Sequence, residues 1–411
     1  MSTDAPLATL DLISAKLHRD ARPLDFSAIL ELDADEPFLA RLKAGAESAG
    51  RIFPSAISRV EGKQWASASG SPLASISAPA EDVDQLIADF DNAGLNPHED
   101  MQVRQLLVHP VDGGRPLLVS RFHHCAFDGT SAALWLFHQL MVASGQVSPE
   151  ETSLEVSEPR LKMSERAQRK APSAHAGASR RLFTSRKTPG RTRAWCSLDV
   201  DAGPIRAVVR DWAGVTYNDF LATHYLEALA EWNRQHDRLD TRMSVWLPIN
   251  IRQQAFVGFG NGSSRIRVYR DALPEGDTRA RCEGFRAQVE ASRAAGEWHV
   301  PDISGLKRLP SWLLGLLLRV IINRPGVDMG SAPFTHMEGI GEAAAFTEII
   351  RSARWVMMLD PRHPLGIAAA TMGTQTRMTL TYDPGMLPRA DAEAFLGLYQ
   401  DLLKRGLEEA S

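Results

Sequence analysis

The stretch QVRQLLVHPVDGGRPLLVSRFHHCAFDGTSAALWLFHQLMVAS, residues 102–144, constrains the fold more than any other. Two apolar-rich runs, VRQLLVHP and RPLLVSRFHH, flank the turn VDGG, whose Asp-Gly-Gly supplies the positive φ angles a tight turn needs. From Gly129 the apolar residues change to helical spacing. The expected unit is a hairpin followed by a helix. It places His123 and His124 at the C-terminal end of a strand and Asp128 where a helix begins. Adjacent residues at a strand end point to opposite faces, so both imidazoles do not easily serve one ion. No remote HxxxH or HxxE group supplies further ligands, and the sequence points to no metal centre.

The rest of the chain divides around a change of character. The 411 residues suggest two or three domains, or two lobes sharing a core. Short apolar AILEL, the helix EPFLARLKAGAESAG with a glycine stop, and the helix EDVDQLIADFDNAG precede the hairpin. Residues 160–193 carry eleven Lys or Arg and one acid, Glu165, with no persistent apolar face. This reads as a solvated linker, or alternatively as a basic strip for an anionic partner. After it, RAWCSLDV, RMSVWLPIN, SSRIRVYR and RMTLTYD read as strands. TYNDFLATHYLEALAEWNRQ, with Thr216 and Asn218 available for capping, and two later amphipathic stretches read as helices. The expected division is 1–160, a basic connection 161–193, and 194–411, in a mixed α/β (α+β) fold.

Composition excludes several classes. A hydrophobic content of 44% with 23% charged residues is that of a globular protein, and a net charge of −4 implies no general attraction to nucleic acid. Cys125, Cys196 and Cys282 are too few and too scattered for a disulfide or zinc framework, which fits a reducing, cytoplasmic setting. The N-terminus does not read as a signal peptide. The most apolar run, SWLLGLLLRVIIN at 311–323, is too short for a bilayer span of about 20 residues. It is expected to be a buried helix, with an acyl-chain channel wall or a membrane-touching helix as alternatives.

A histidine facing a cleft suits proton transfer near neutral pH, because its reference pKa is about 6.5. Asp128 can fix the ring directly or hold the loop through an arginine. Gly129 permits a backbone conformation or a close approach that a side chain forbids. The helix that follows has a positive N-terminus, suited to a developing oxyanion. A pair of ordinary strand-end histidines is the plain alternative. No GxSxG elbow is present, and Cys125 has no placed partner. A general base acting on an already activated acyl donor needs no enzyme nucleophile.

HHCAFDG is a complete HHxxxDG and resembles the signature of the coenzyme-A-dependent acyltransferase superfamily. That group includes condensation domains of nonribosomal peptide synthetases, wax ester synthases, polyketide-associated acyltransferases and chloramphenicol acetyltransferase. FPSAI, TYNDFLATHYLEAL, LPINIRQ, GNGSS and AAATMGTQTRMTLTYDPGML resemble further family segments in the family's order. The resemblance implies two chloramphenicol-acetyltransferase-like lobes in a V-shaped pseudo-dimer, with an active-site tunnel between them. It implies that His124 is the general base and that Asp128 pairs with Arg252. His123 and Gly129 are then structural, and Asn261 and Thr371 are candidates for the tunnel wall. The implied donor is an acyl-coenzyme A or a phosphopantetheine thioester on an acyl or peptidyl carrier protein, used as substrate with no resident cofactor. The acceptor is a small molecule with a hydroxyl or amine. With no carrier or adenylation segment recognisable, the chain is expected to meet its donor in trans.

The sequence departs from the family in FTHMEGIGE, where many members carry SNxG, and in lacking DFGWG. Two other readings compete. The fold can act as a non-catalytic platform for a carrier protein, or it can direct cyclisation or another reaction on a tethered thioester. EGIGEAAAF followed by Asp360 also outlines a dinucleotide fingerprint, but the preceding SAPFTHM does not read as a buried parallel strand and too few residues follow.

Overall fold

The computed structural model describes residues 7, 9–18, 24–150, 179–238, 242–252, 260–298, 308–322, 330–337, 348–360 and 362–410. The GxGxxA outline and residues 160–178 of the basic strip lie outside the described residues. The first half runs α1 (Thr9–Leu17), β1 (Asp25–Leu32), α2 (Glu36–Ile52), β2 (Ser58–Glu61), β3 (Gln64–Ser67), β4 (Leu73–Ala78), α3 (Val83–Asn92), β5 (Val103–Pro110), β6 (Leu117–His123) and α4 (Gly129–Ala143). The second half runs β7 (Ala194–Asp201), α5 (Ala202–Arg210), α6 (Tyr217–Gln235), β8 (Ser244–Asn250), β9 (Ser263–Tyr269), α7 (Thr278–Ala294) and α8 (Ser311–Ile322). It ends with β10 (Ala332–Met337), β11 (Ile350–Val356), β12 (Leu365–Met372), β13 (Gln375–Tyr382) and α9 (Arg389–Ala410).

Two larger sheets carry the molecule. One has the order β11-β1-β6-β5-β4, the other β7-β13-β12-β10-β8-β9. The hairpin read from the sequence is β5 and β6, paired antiparallel from Val103↔Phe122 to Val108↔Leu117. All seven residues of β6 are buried, because β1 and β5 flank its edges and apolar clusters cover its faces. β11 comes from the second half of the chain but pairs with β1 in the first sheet. The second half therefore completes the layer that carries the histidines. Ala368 and Ala370 of β12 likewise join the apolar cluster of the first half.

Local signals set the helix starts. Asp35 caps α2 by accepting the Phe38 N–H, and Thr216 and Asp219 close a reciprocal capping box on α6. Three expectations need correction. The helix α2 runs past Gly50 to Ile52, so that glycine is not its stop. The SAPFTHM segment does contain a strand: β10 is parallel to β12 and β8, with its first three residues buried. Its short length and Pro333 hide that status from periodicity. The apolar run that forms α8 is only half buried. Leu314 and Leu318 pack inward, whereas Trp312 is 71% exposed. No described helix is long and apolar enough to cross a membrane.

Candidate active site

The end of β6 lies against the start of β1, with Asp25 opposite His123. Immediately after the strand the chain turns, and the His124 backbone is held from two sides. Its N–H donates to the Leu24 carbonyl at 2.9 Å, and its carbonyl accepts from Asn261 Nδ2 at 2.8 Å. Phe26 packs on the imidazole, ring centroids 4.7 Å apart. His124 Nδ1 lies 3.0 Å from the Phe127 carbonyl oxygen. A carbonyl only accepts, so the proton sits on Nδ1 and the Nε2 lone pair is left as a base. Burial pulls the His124 pKa below the ordinary histidine value, while the Asp128 charge and the Phe127 carbonyl offset part of the fall.

His123 is set up differently. It is fully buried, its Nδ1 accepts the Cys125 N–H at 3.0 Å, and its Nε2 lies 3.2 Å from His18 Nδ1. The proton therefore sits on Nε2 and is donated to His18. Burial, with His18 adding to it, pushes the His123 pKa well below its usual value and keeps the ring neutral. The Cys125 thiol donates to the Asp11 carbonyl, and burial raises its pKa well above the ordinary range. Such a thiol does not supply a thiolate nucleophile.

Asp128 does not touch the His124 ring through a hydrogen bond. Its side chain caps α4 by accepting the Ser131 N–H at 2.9 Å, and it accepts the Gly262 N–H at 2.8 Å. Arg252 meets it in a fork, Nη1 at 2.6 Å and Nη2 at 2.9 Å. The two side chains are 4% and 2% exposed. Arg252 also donates to Ser131 Oγ and to the Gly260 carbonyl. Of the two routes open to Asp128, the structure uses the arginine. At the positive helix end the Ser131 N–H is taken by Asp128 and is not open to an oxyanion. Gly129 has no positive φ. It serves close approach instead, since a Cβ there would sit 2.7 Å from Met337 Sδ of β10.

No protein-family model matches the sequence, and no curated protein matches it. Solved structures do. A mutant of the starter condensation domain of rhizomide synthetase in complex with C8-CoA superposes with a TM-score of 0.71 at 14% identity, covering 100% of this chain and 96% of that one. The chain has the condensation-domain fold. The X-domain from teicoplanin biosynthesis shares it at a TM-score of 0.63 and 16% identity, over 100% of this chain and 97% of that one. The wax ester synthase/diacylglycerol acyltransferase from Marinobacter aquaeolei VT8 shares it at 0.58 and 14%, over 99% and 98%. These neighbours share the fold with paired chloramphenicol-acetyltransferase-like lobes that the HHxxxDG resemblance implied.

Within this condensation-domain fold the remaining candidates take definite places. Asn261, expected on a tunnel wall, spends its amide on the His124 carbonyl. Thr371 is 3% exposed, and its hydroxyl bonds His336 Nε2 and Thr376 Oγ1, each at 2.7 Å. His336 neighbours Met337, the residue that meets Gly129, and burial lowers its pKa to about 4. Sequence reasoning missed His18 and His336, because neither belongs to a local pattern.

It also missed Arg193, counted in the solvated basic strip. Arg193 is in fact buried between Asp91, at 2.6 Å, and Asp25, at 3.1 Å. Arg121 holds the other oxygen of Asp25 at 2.7 Å. Burial raises the Asp25 pKa, but Arg193 and Arg121 outweigh it and hold the carboxyl below its ordinary value. Leu182, from the same strip, is 3% exposed in the second core. The end of the strip is thus anchored at Leu182 and Arg193, while Arg180, Arg181, Arg186, Lys187 and Arg191 remain exposed. Arg193→Ala removes the cation shared by two buried carboxylates: Asp25 keeps Arg121 and the Leu95 N–H, and Asp91 keeps the Ser27 hydroxyl but no cation among the described residues. It should lower stability by about 3 kcal/mol in urea unfolding. The exposed change Arg191→Ala should leave the midpoint where it is, and an equal response of the two variants would remove the anchor.

Proposed function

We propose that the protein is an acyltransferase that moves an acyl group from a thioester, on coenzyme A or a carrier protein, to a hydroxyl or amine acceptor. His124 is the general base, and no covalent enzyme intermediate forms. The observation that carries this reading is the bond from His124 Nδ1–H to the Phe127 carbonyl, which leaves Nε2 as a proton acceptor. Nε2 takes the proton of the acceptor O–H or N–H as that atom bonds to the thioester carbon. The tetrahedral oxyanion collapses, the C–S bond breaks, and the imidazolium returns its proton to the departing sulfur. His123 and the Asp128–Arg252 pair position the loop without touching substrate. The C8-CoA in the rhizomide relative and the acyltransferase named for the Marinobacter relative support a thioester donor.

A platform reading has support of its own: the teicoplanin X-domain occurs in a complex with OxyB. A third reading keeps the fold and uses it for cyclisation of a tethered thioester. Mass spectrometry after incubation with a panel of acyl-coenzyme A and acyl-carrier donors, with and without hydroxyl and amine acceptors, separates them. Transfer products support the proposal. Carrier binding without turnover supports the platform, and a cyclic product without added acceptor supports the third reading.

The pH profile gives a further test. Lowering the pH protonates Nε2 and removes the base, so kcat/KM should fall on the acid side. Because burial depresses the His124 pKa, the midpoint of that fall should lie below the reference value of about 6.5. A midpoint clearly above it contradicts the assignment.

A further inference from the structure

The most apolar segment of the chain presents half of its surface to water. On α8, Leu314 and Leu318 are buried in the first core, where α8 packs on α1. Trp312, Leu316 and Val320 are 71%, 54% and 50% exposed. A spacing of four residues puts these three on one helix face. The electrostatic setting is one-sided. From residue 303 to 327 the sequence holds Lys307, Arg308, Arg319 and Arg324 and no acid. Arg308 and Arg319 are exposed. The neighbouring elements add cations too: Lys16 of α1 lies beside Gly315, and Lys63 donates to the Leu309 carbonyl at 2.6 Å.

We propose that α8 is an interfacial helix whose Trp312–Leu316–Val320 face seats the protein on an anionic lipid surface. An apolar stripe carrying tryptophan on a segment whose own charges are all cationic matches what a helix lying in a lipid interface requires. The helix spans 12 residues, about 18 Å, well short of the ~30 Å hydrocarbon core, so it lies on the bilayer. A second copy of the chain is the poorer occupant. The three side chains expose on the order of 300–400 Å², against ~800 Å² per partner in a stable interface. Self-association through this face would also bring Arg308 and Arg319 of two copies together. The inference does not depend on the acyl-transfer reading.

Flotation of the full chain with vesicles of phosphatidylcholine containing about one-third phosphatidylglycerol tests it. The protein should float with these vesicles, should float poorly with phosphatidylcholine alone, and should detach at high salt. The triple variant Trp312→Ser/Leu316→Ser/Val320→Ser and the charge variant Arg308→Glu/Arg319→Glu should each bind on the order of tenfold or more weakly. All five positions are exposed, so circular dichroism and the thermal midpoint should match the wild type. Brominated phosphatidylcholine in the anionic vesicles should quench tryptophan fluorescence, and Trp312→Phe should remove most of that quenching. Failure of the wild type to float, or undiminished binding by the triple variant, overturns the proposal. So does a concentration-dependent dimer in sedimentation velocity that the triple variant abolishes while vesicles bind neither protein.

Discussion

His124→Ala is expected to lose roughly 10²–10⁴-fold in acyl-transfer turnover while the fold and donor binding persist. The expectation follows from how little of the ring is used for structure. Its side-chain hydrogen bond goes to the Phe127 carbonyl, and its ring packs on Phe26. The loop itself is pinned through the His124 backbone, by Leu24 and Asn261, and those bonds do not involve the side chain. His124→Asn sharpens the test. An asparagine amide can still donate to the Phe127 carbonyl, yet it has no basic lone pair at the Nε2 position. Both variants should therefore lose turnover alike in single-turnover assays with saturating donor. If asparagine retained activity, the loop bond and not the base would be what matters. If alanine retained it, the general-base reading would be wrong.

Arg252→Ala should cost about 3–5 kcal/mol of stability and also depress turnover. The arginine meets a carboxylate that is itself almost fully buried, and it ties Ser131 of α4 and Gly260 to the same point. Removing it leaves Asp128 charged and desolvated, with only backbone donors. Arg252→Lys should rescue little, because an ammonium cannot reproduce the fork to both carboxylate oxygens. The double variant Asp128→Ala/Arg252→Ala should be less destabilised than the two single losses summed, since the penalty in each is the stranded partner. Urea unfolding of the four proteins completes the cycle. Additive losses would show that the pair is not coupled. Because neither residue touches substrate in the proposed mechanism, turnover should fall through displacement of His124. The remaining activity should keep the wild-type donor KM.

Much of the site's local form was legible. The turn VDGG and the change from an apolar run to helical spacing located the end of β6 and the start of α4. Asp128 was placed at the start of that helix, and in the structure its side chain caps α4. Arg252 was different. No spacing rule connects residues 124 positions apart, and only the family resemblance singled it out. Residues without such help were misplaced. Arg193 looked like one more exposed cation, yet it is buried against acids 102 and 168 positions earlier. His18 reaches His123 across 105 positions.

The sequence by itself determined the elements around the histidines, because apolar runs, turn chemistry and helical spacing act over a few residues. It also determined which residue types were on hand for proton transfer. The tertiary structure decided which of the two histidines keeps an available lone pair, since each tautomer depends on the partner facing the ring: Phe127 for His124, Cys125 and His18 for His123. It decided that β11 completes the first sheet, and that α8 leaves Trp312, Leu316 and Val320 in water. Burial and pairing across a hundred residues depend on the path of the chain, and no local pattern encodes that path.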